Sequence, residues 1–286
     1  MRGRRFKTQA DIDRYIAQGY GQGEGVTYKP WLRVQDVPSN GRSRKVLGIK
    51  TGRQHHLLSD LEFGYLLVLE FSEQVIDIRE AFPIFPTEHA REISVQLGIQ
   101  YPRFPGTNLL YVMSTDFLVT LQASDGSRRL AARTVKYESA FQQSNDLKRT
   151  VEKLELEKAI HSAQGIEDWK LVTETTIGST LMANLIWLRK GKSVERHLLH
   201  STVQLQFMDA VEYHARPGRA LQSVIRAAAS STHIPFADGT MLFKHLVLQK
   251  VIRFDITDHE LSLTGPSPAF TYHRYLISAA GSLKAA

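Results

Sequence analysis

Val112-Met113-Ser114-Thr115-Asp116-Phe117-Leu118-Val119-Thr120-Leu121 is an apolar run with one charged residue at its middle. Its β-branched and aromatic content predicts a strand. The two-residue period puts Asp116 on the face shared by Leu118 and Thr120. A carboxylate inside such a strand is costly unless a cation or a metal faces it, so the run predicts either a buried ion pair or a cation-binding site. The next predicted strand, 130–137, reads Leu-Ala-Ala-Arg-Thr-Val-Lys-Tyr and carries Lys136 next to its end. The spacing between Asp116 and Lys136 allows a hairpin that sets the two side by side, as a salt bridge or as a carboxylate with a catalytic lysine.

Two further acids extend the pattern. Glu62 stands at a predicted helix start in Ser59-Asp60-Leu61-Glu62, and Glu157 ends Glu152-Lys-Leu-Glu-Leu-Glu157. Two or three carboxylates with a lysine on adjacent strands are what metal-dependent phosphodiester cleavage requires. The carboxylates hold one or two Mg²⁺ ions, and the lysine orients or activates a water. Hard oxygen ligands favour Mg²⁺ or Mn²⁺ over zinc. Each acid has a plainer reading beside this one. Ser59-x-x-Glu62 is a capping box, which would occupy the glutamate. Glu157 could belong to a solvated helix face with Glu155 and Lys158.

Composition bounds the alternatives. The chain has 286 residues, 42% of them apolar, enough for one large or two ordinary domains. The absence of cysteine excludes disulfides, thiolate catalysis and zinc–thiolate sites, and suits a reducing cytoplasm. No run of 18 apolar residues occurs, and the basic start lacks the apolar core of a signal peptide, so a soluble protein without a membrane partner is expected. The net charge of +7 is uneven. Residues 1–53 carry 12 basic and 4 acidic side chains, 54–190 carry 14 and 18, and 191–286 carry 10 and 7. An acidic middle between basic ends suits a metal site flanked by polyanion-gripping arms; ordinary solubility charge would look similar.

Along the chain, 8–18 predicts a short helix with Thr8 as N-cap. The glycine run 19–25 neither follows a strand nor opens a helix, which argues against a dinucleotide fingerprint. The stretch 37–45 reads as an extended basic turn, in which Arg42, Arg44 and Lys45 are candidate DNA-phosphate contacts. Arg53, His55 and His56 join that set, although adjacent histidines point in different directions in most backbones and read more readily as two ordinary histidines. A helix over 59–71, a strand over 74–79 stopped by Ala81-Phe-Pro, a helix over 88–98, a helix over 145–163, a strand over 169–173 and a helix over 179–189 complete a mixed α/β layer. His197 and His200 lie at helical spacing without a third ligand and read as structural. Helices over 193–213, 217–230 and 237–250, then strands over 251–256 and 261–264, follow winged-helix order. The reading therefore divides the chain into a basic arm (1–53), an endonuclease domain (54–190) and a winged-helix-like domain (191–286).

These residues in this order resemble the PD-(D/E)xK restriction-endonuclease-like nucleases. More closely, the chain is similar to the TnsA-like endonuclease subunits of Tn-seven-type transposases. The resemblance rests on Gly21-Gln-Gly, Pro30-Trp-Leu, Val34-Gln-Asp-Val-Pro-Ser, Gly41-Arg-Ser, Thr51-Gly-Arg, His55-His-Leu-Leu-Ser-Asp-Leu-Glu, Asp77-Ile-Arg-Glu, Met113-Ser-Thr-Asp-Phe-Leu-Val and Leu154-Glu-Leu-Glu, with a weaker Asn184-x-x-Trp-Leu. It covers roughly 10–190. It implies that Glu62 and Asp116 are the metal-binding carboxylates, Lys136 the catalytic lysine and Glu157 an acid near that site. The main-chain carbonyl of Val135 would be a further metal ligand. It also implies cutting of the 5′ strands of double-stranded DNA at transposon ends, beside a TnsB-like DDE transposase and a TnsC-like AAA+ ATPase. One departure stands out: the family has Gln-x-Lys where this chain has Thr134-Val-Lys136. The alternative it raises is a catalytically degenerate DNA- and protein-binding adaptor; a stand-alone nuclease is a third reading.

Overall fold

The computed structural model describes residues 6–37, 41–142 and 147–277. The chain divides between Ile177 and Gly178 into two compact units.

In the first unit, helix α1 (Gln9–Ala17) starts where Thr8 predicts. Thr8 Oγ1 accepts the Asp11 N–H, and the Asp11 carboxylate accepts the Thr8 N–H, closing a capping box. Its Ile12 and Tyr15 bury against Phe6, Trp31, Phe104 and Val112. Strands β1 (Arg44–Leu47) and β2 (Gln54–Leu57) pair antiparallel, from Arg44 opposite Leu57 to Leu47 opposite Gln54. The sequence reading left 37–45 as a loop because its charges hide the alternation. Residues 38–40 of that turn lie outside the described residues. Gly48 opens the connection: a Cβ there would stand 2.4 Å from Thr51 Oγ1 and 2.6 Å from His55 Nε2.

The main sheet follows. Helix α2 (Asp60–Phe71) precedes β3 (Val75–Pro83), then come α3 (Thr87–Gln96), β4 (Ser114–Gln122), β5 (Arg128–Val135), α4 (Leu147–Ala163), β6 (Asp168–Val172) and α5 (Glu174–Ile177). The order across the sheet is β3-β4-β5-β6, antiparallel except for the parallel β5–β6 pair. A parallel pair needs a crossover, and α4 supplies it. The predicted start of α4 at 145 falls outside the described residues. Strand β3 runs beyond the expected stop at Arg79, with Phe82 opposite Thr115 and Pro83 opposite Ser114. Because β3 is an edge strand, proline there removes no ladder donor. Leu156 and Ile160 of α4 pack with Ala90 and Ile93 of α3, Ile84 and Met113. From α2, the Tyr65 ring meets Phe117 at 5.8 Å.

In the second unit, α6 (Ser179–Arg189) is followed by a tight turn at Lys190–Lys192 and another at Arg196–Leu199. Helices α7 (Ser201–His214), α8 (Leu221–Ser231) and α9 (Phe236–Leu248) then surround a core that includes Phe207, Met208, Val224, Ile225, Leu242 and Phe243. The sequence reading set α6 in the preceding domain, with a boundary at 190. The structure places it in the second unit, where the Asn184 side chain donates to the carbonyls of Ile256 and His259 and accepts the Leu261 N–H.

Those bonds also explain why the expected strand over 261–264 is absent. The Leu261 N–H goes to Asn184, and the carbonyls of Leu263 and Gly265 take the N–H groups of Gln222 and Leu221. The segment's hydrogen bonds are used on helices, not on a ladder. The two-residue strand β7 (Ile252–Arg253) pairs instead with β8 (Thr271–Tyr272). Three helices are present in the expected order, but the strands expected over 251–256 and 261–264 are not formed as a pair. No helix among the described residues is long and apolar enough to cross a membrane.

Candidate active site

Asp116 and Lys136 meet at one end of the β4–β5 hairpin. The last rung of that ladder is Phe117 opposite Arg133. Just beyond it, Asp116 Oδ2 accepts the Val135 N–H at 2.7 Å and Lys136 Nζ at 3.4 Å. The carboxylate therefore ends the ladder by satisfying a backbone donor. Lys136 is held above the usual lysine range chiefly by the charge of Asp116, so it stands as an ammonium ion.

Glu157 reaches the same corner from α4. Its Oε1 accepts the Thr134 hydroxyl at 2.6 Å. Burial and the neighbouring charge of Asp116 push its carboxyl up to about 7. One turn further along α4, His161 Nε2 lies 2.5 Å from Thr115 Oγ1 and 4.0 Å from Glu157 Oε1. Burial lowers His161 to about 4, which leaves it neutral at pH 7 and no counter-cation to Glu157.

Glu62 shows how both of its sequence readings coexist. Ser59 Oγ caps α2 by accepting the Glu62 N–H at 3.0 Å. In return the Glu62 carboxylate accepts the Leu58 N–H at 2.8 Å and the Ser59 hydroxyl at 3.2 Å. The reach extends one residue past the N-cap, a variant of the capping box. Burial and then Asp116 raise this carboxyl to about 7, so it senses the same corner.

Asp116, Lys136 and Glu157 line a cleft of about 510 Å³. Its other walls include Arg103, Thr150 and Lys153, which the sequence reading passed over. A signal for one of them was present: Lys153, Glu157 and His161 are spaced by four residues and form one stripe on α4. Thr115 gave no such signal, since a threonine in a strand is ordinary.

The donor set suits a hard divalent cation by charge. The acids at this corner offer oxygen ligands, and both glutamates are raised first by burial and then by the charge of Asp116, a cost that a bound cation would offset. A closed cage is not preformed. Among the described residues no three histidine, aspartate or glutamate side chains are grouped to hold an ion, since Glu62 is drawn to its cap and Glu157 to Thr134. An ion that takes one or two carboxylates and completes its shell with water and phosphate oxygens, as Mg²⁺ commonly does, needs no preformed cage.

The candidate DNA-contacting residues separate into two groups. Arg42 and Arg44 pair with Asp60, and Lys45 is exposed. His56 is half-buried and accepts the Val34 N–H. Arg53 and His55, expected at a phosphate surface, are corrected: both are buried and both bind the buried carboxylate of Glu80. Their place in a short polar segment resembled a surface patch because Glu80 is remote in sequence.

Two successive family models match this chain. One, described as TnsA-like endonuclease N terminal, matches 72–174, and the other, TnsA endonuclease C terminal, matches 176–256. The chain belongs to the TnsA-like endonuclease family. The junction of the two matches lies at the division between the two compact units. A curated relative, Transposon Tn7 transposition protein TnsA of Escherichia coli, is 43% identical over 188 residues. That similarity covers 66% of this TnsA-like chain and 65% of the relative's length.

Proposed function

We propose that this chain is a Mg²⁺-dependent DNA endonuclease that hydrolyses the 5′ strands at transposon ends during cut-and-paste transposition. It would work beside a TnsB-like DDE transposase and a TnsC-like AAA+ ATPase, in the bacterial cytoplasm. The observation that supports this reading best is the pairing of Asp116 with Lys136 in a cleft that Glu157 also lines, with Glu62 near enough to feel the charge of Asp116. Family membership points the same way.

Glu62, Asp116 and the main-chain carbonyl of Val135 would hold Mg²⁺, with Mn²⁺ as a substitute. When bound, such an ion supplies a Lewis acid for the phosphate and a water of lowered pKa. The protein's own groups do the rest. Asp116 is oriented by the Val135 N–H and cannot swing freely. Lys136, kept cationic by Asp116, faces the scissile phosphate and orients the attacking water. Glu157 and Thr134 fix the strand end from behind. Arg42, Arg44 and Lys45 contact backbone phosphates outside the cleft.

The reading is tested with 5′-end-labelled transposon DNA and the assembled transposition proteins. The 5′-strand cut is expected to require Mg²⁺ or Mn²⁺ and to stop in excess chelator. Either ion alone should raise the melting temperature of this chain, because ligand that binds only the native state stabilises it. A 5′-strand cut that persists after chelation, or that needs no copy of this chain, overturns the proposal.

The adaptor reading has specific support in Thr134 and in the engagement of Glu62 at its cap. Thr134→Gln separates the two. If the native chain is an active nuclease, the substitution changes 5′-strand cleavage by less than ~10-fold. A rise from near zero to robust cutting would favour the adaptor.

A further inference from the structure

Two threonines stand next to two of the proposed ligands, and one turn of α4 holds both. Thr115 precedes Asp116 on β4, and Thr134 precedes Val135 on β5. Both threonines are buried, as are Glu157 and His161 on α4. Glu157 Oε1 accepts the Thr134 hydroxyl at 2.6 Å, and His161 Nε2 meets Thr115 Oγ1 at 2.5 Å. Burial and then Asp116 raise the Glu157 carboxyl, and hydrogen bonds from the Thr134 and Thr115 hydroxyls oppose them. The β4–β5 ladder has already ended at Phe117 and Arg133, so side chains join the two strands here. One link is Asp116 with the Val135 N–H. An ion at Asp116 would compete for that carboxylate, and the α4 pair is the splint that remains.

Proton counting assigns the roles. A threonine hydroxyl has one proton to give. When Thr115 gives it to Glu157, its oxygen accepts, and His161 must donate from Nε2. Neutral His161 then carries a bare lone pair at Nδ1. That atom is buried and has no hydrogen-bond partner among the described residues. The opposite assignment puts the proton on Nδ1, which strands a buried N–H and leaves Glu157 with one hydroxyl donor instead of two. The first order keeps every proton of the chain in use, from His161 to Thr115 to Glu157, with Thr134 donating from the other side.

We propose that His161 and Thr115 are positioning residues of the cleavage site. Acting through Glu157, they lock the ends of β4 and β5 so that Asp116 and the Val135 carbonyl face one divalent cation. The proposal rests on the reading that those two groups hold the ion, and it adds what keeps them aimed. Neither His161 nor Thr115 touches DNA or the attacking water.

The test uses the full-length chain with Mn²⁺ alone, read by thermal shift and by electron paramagnetic resonance of the free ion. His161→Leu and Thr115→Val should each weaken Mn²⁺ binding by roughly 10–100-fold, as loss of a group that orients a ligand does. His161→Gln, whose amide N–H can stand in for Nε2–H, and Thr115→Ser, which keeps the hydroxyl, should restore most of the affinity. A packing role alone would predict the reverse order at 161, since leucine fills an apolar site better than glutamine. Melting without Mn²⁺ shows that each variant is folded, and the Thr115 pair carries the test if His161→Leu is not. In the ion-free native chain, nitrogen-15 NMR should find the His161 proton on Nε2. Native Mn²⁺ affinity in the folded His161→Leu or Thr115→Val chain, or a proton on Nδ1, overturns the proposal. No Mn²⁺ binding by the native chain would instead bring down the cation reading of the cleft, and this proposal with it.

Discussion

Asp116→Ala is expected to reduce 5′-strand cleavage by ~10³-fold or more while leaving DNA binding and assembly with the partner proteins intact. The size follows from the number of roles the side chain combines. It is the proposed metal ligand, it holds Lys136 as a cation, and it accepts the Val135 N–H at 2.7 Å. Alanine also strands that N–H, which should cost about 1–3 kcal/mol in the first unit. Asp116→Asn separates the two effects, since its amide oxygen still accepts the bond: cleavage falls as with alanine, and stability is largely kept. Removing the negative charge should move the Glu62 and Glu157 carboxyls back down from about 7, in a direction NMR titration can read. Cleavage at the native rate by either variant would sink the assignment.

Glu80→Gln is expected to destabilise the first unit by about 3–5 kcal/mol, the usual cost of leaving one partner of a buried ion pair alone. Glu80 is 1% exposed and accepts bonds from Arg53 at 2.8 and 2.6 Å, from the His56 N–H at 3.0 Å and from His55 at 2.7 Å. Arg53 is also bound to the carbonyls of Gly25 and Ile78, so the network ties the glycine-rich loop and the β1–β2 hairpin to β3. Burial alone would raise the Glu80 carboxyl; the bonds from Arg53 and His55 reverse that and hold it at about 2. The folded value is thus below the unfolded one, near 4.5. The contribution is complete above about pH 4.5 and is lost as pH falls toward 2. Urea unfolding should show a lower midpoint with an unchanged slope, and the variant should lose the native chain's extra sensitivity over that acid range. A midpoint shift worth under ~1 kcal/mol would show that the network does not hold the hairpin.

What could be read in the sequence was local. Thr8 and Ser59 marked helix starts because capping acts over three residues. The meeting of Asp116 and Lys136 was legible because a hairpin is the simplest link between two nearby strands. The sequence could not show that β3 lies at an edge, so Pro83 looked like a terminator. Arg53 and His55 looked like surface groups because their partner Glu80 is joined to them only through the fold. The strand expected over 261–264 failed for the same reason: Asn184 reaches across to Leu261 and takes the donor a strand would have needed. Thr115 and His161 entered the site through one hydrogen bond between a strand and a helix that no periodicity announces.

The crossover helix α4 has a consequence for how the proposed site is assembled. The β4–β5 hairpin joins neighbouring segments, whereas Glu157 meets Thr134 only across the 23 residues that lead into α4. Longer loops close at greater entropic cost, so this wall of the cleft is expected to be a late arrival during folding. A nascent or partly melted chain would then hold its blade open and blunt, and cutting competence would be a property of the finished molecule alone.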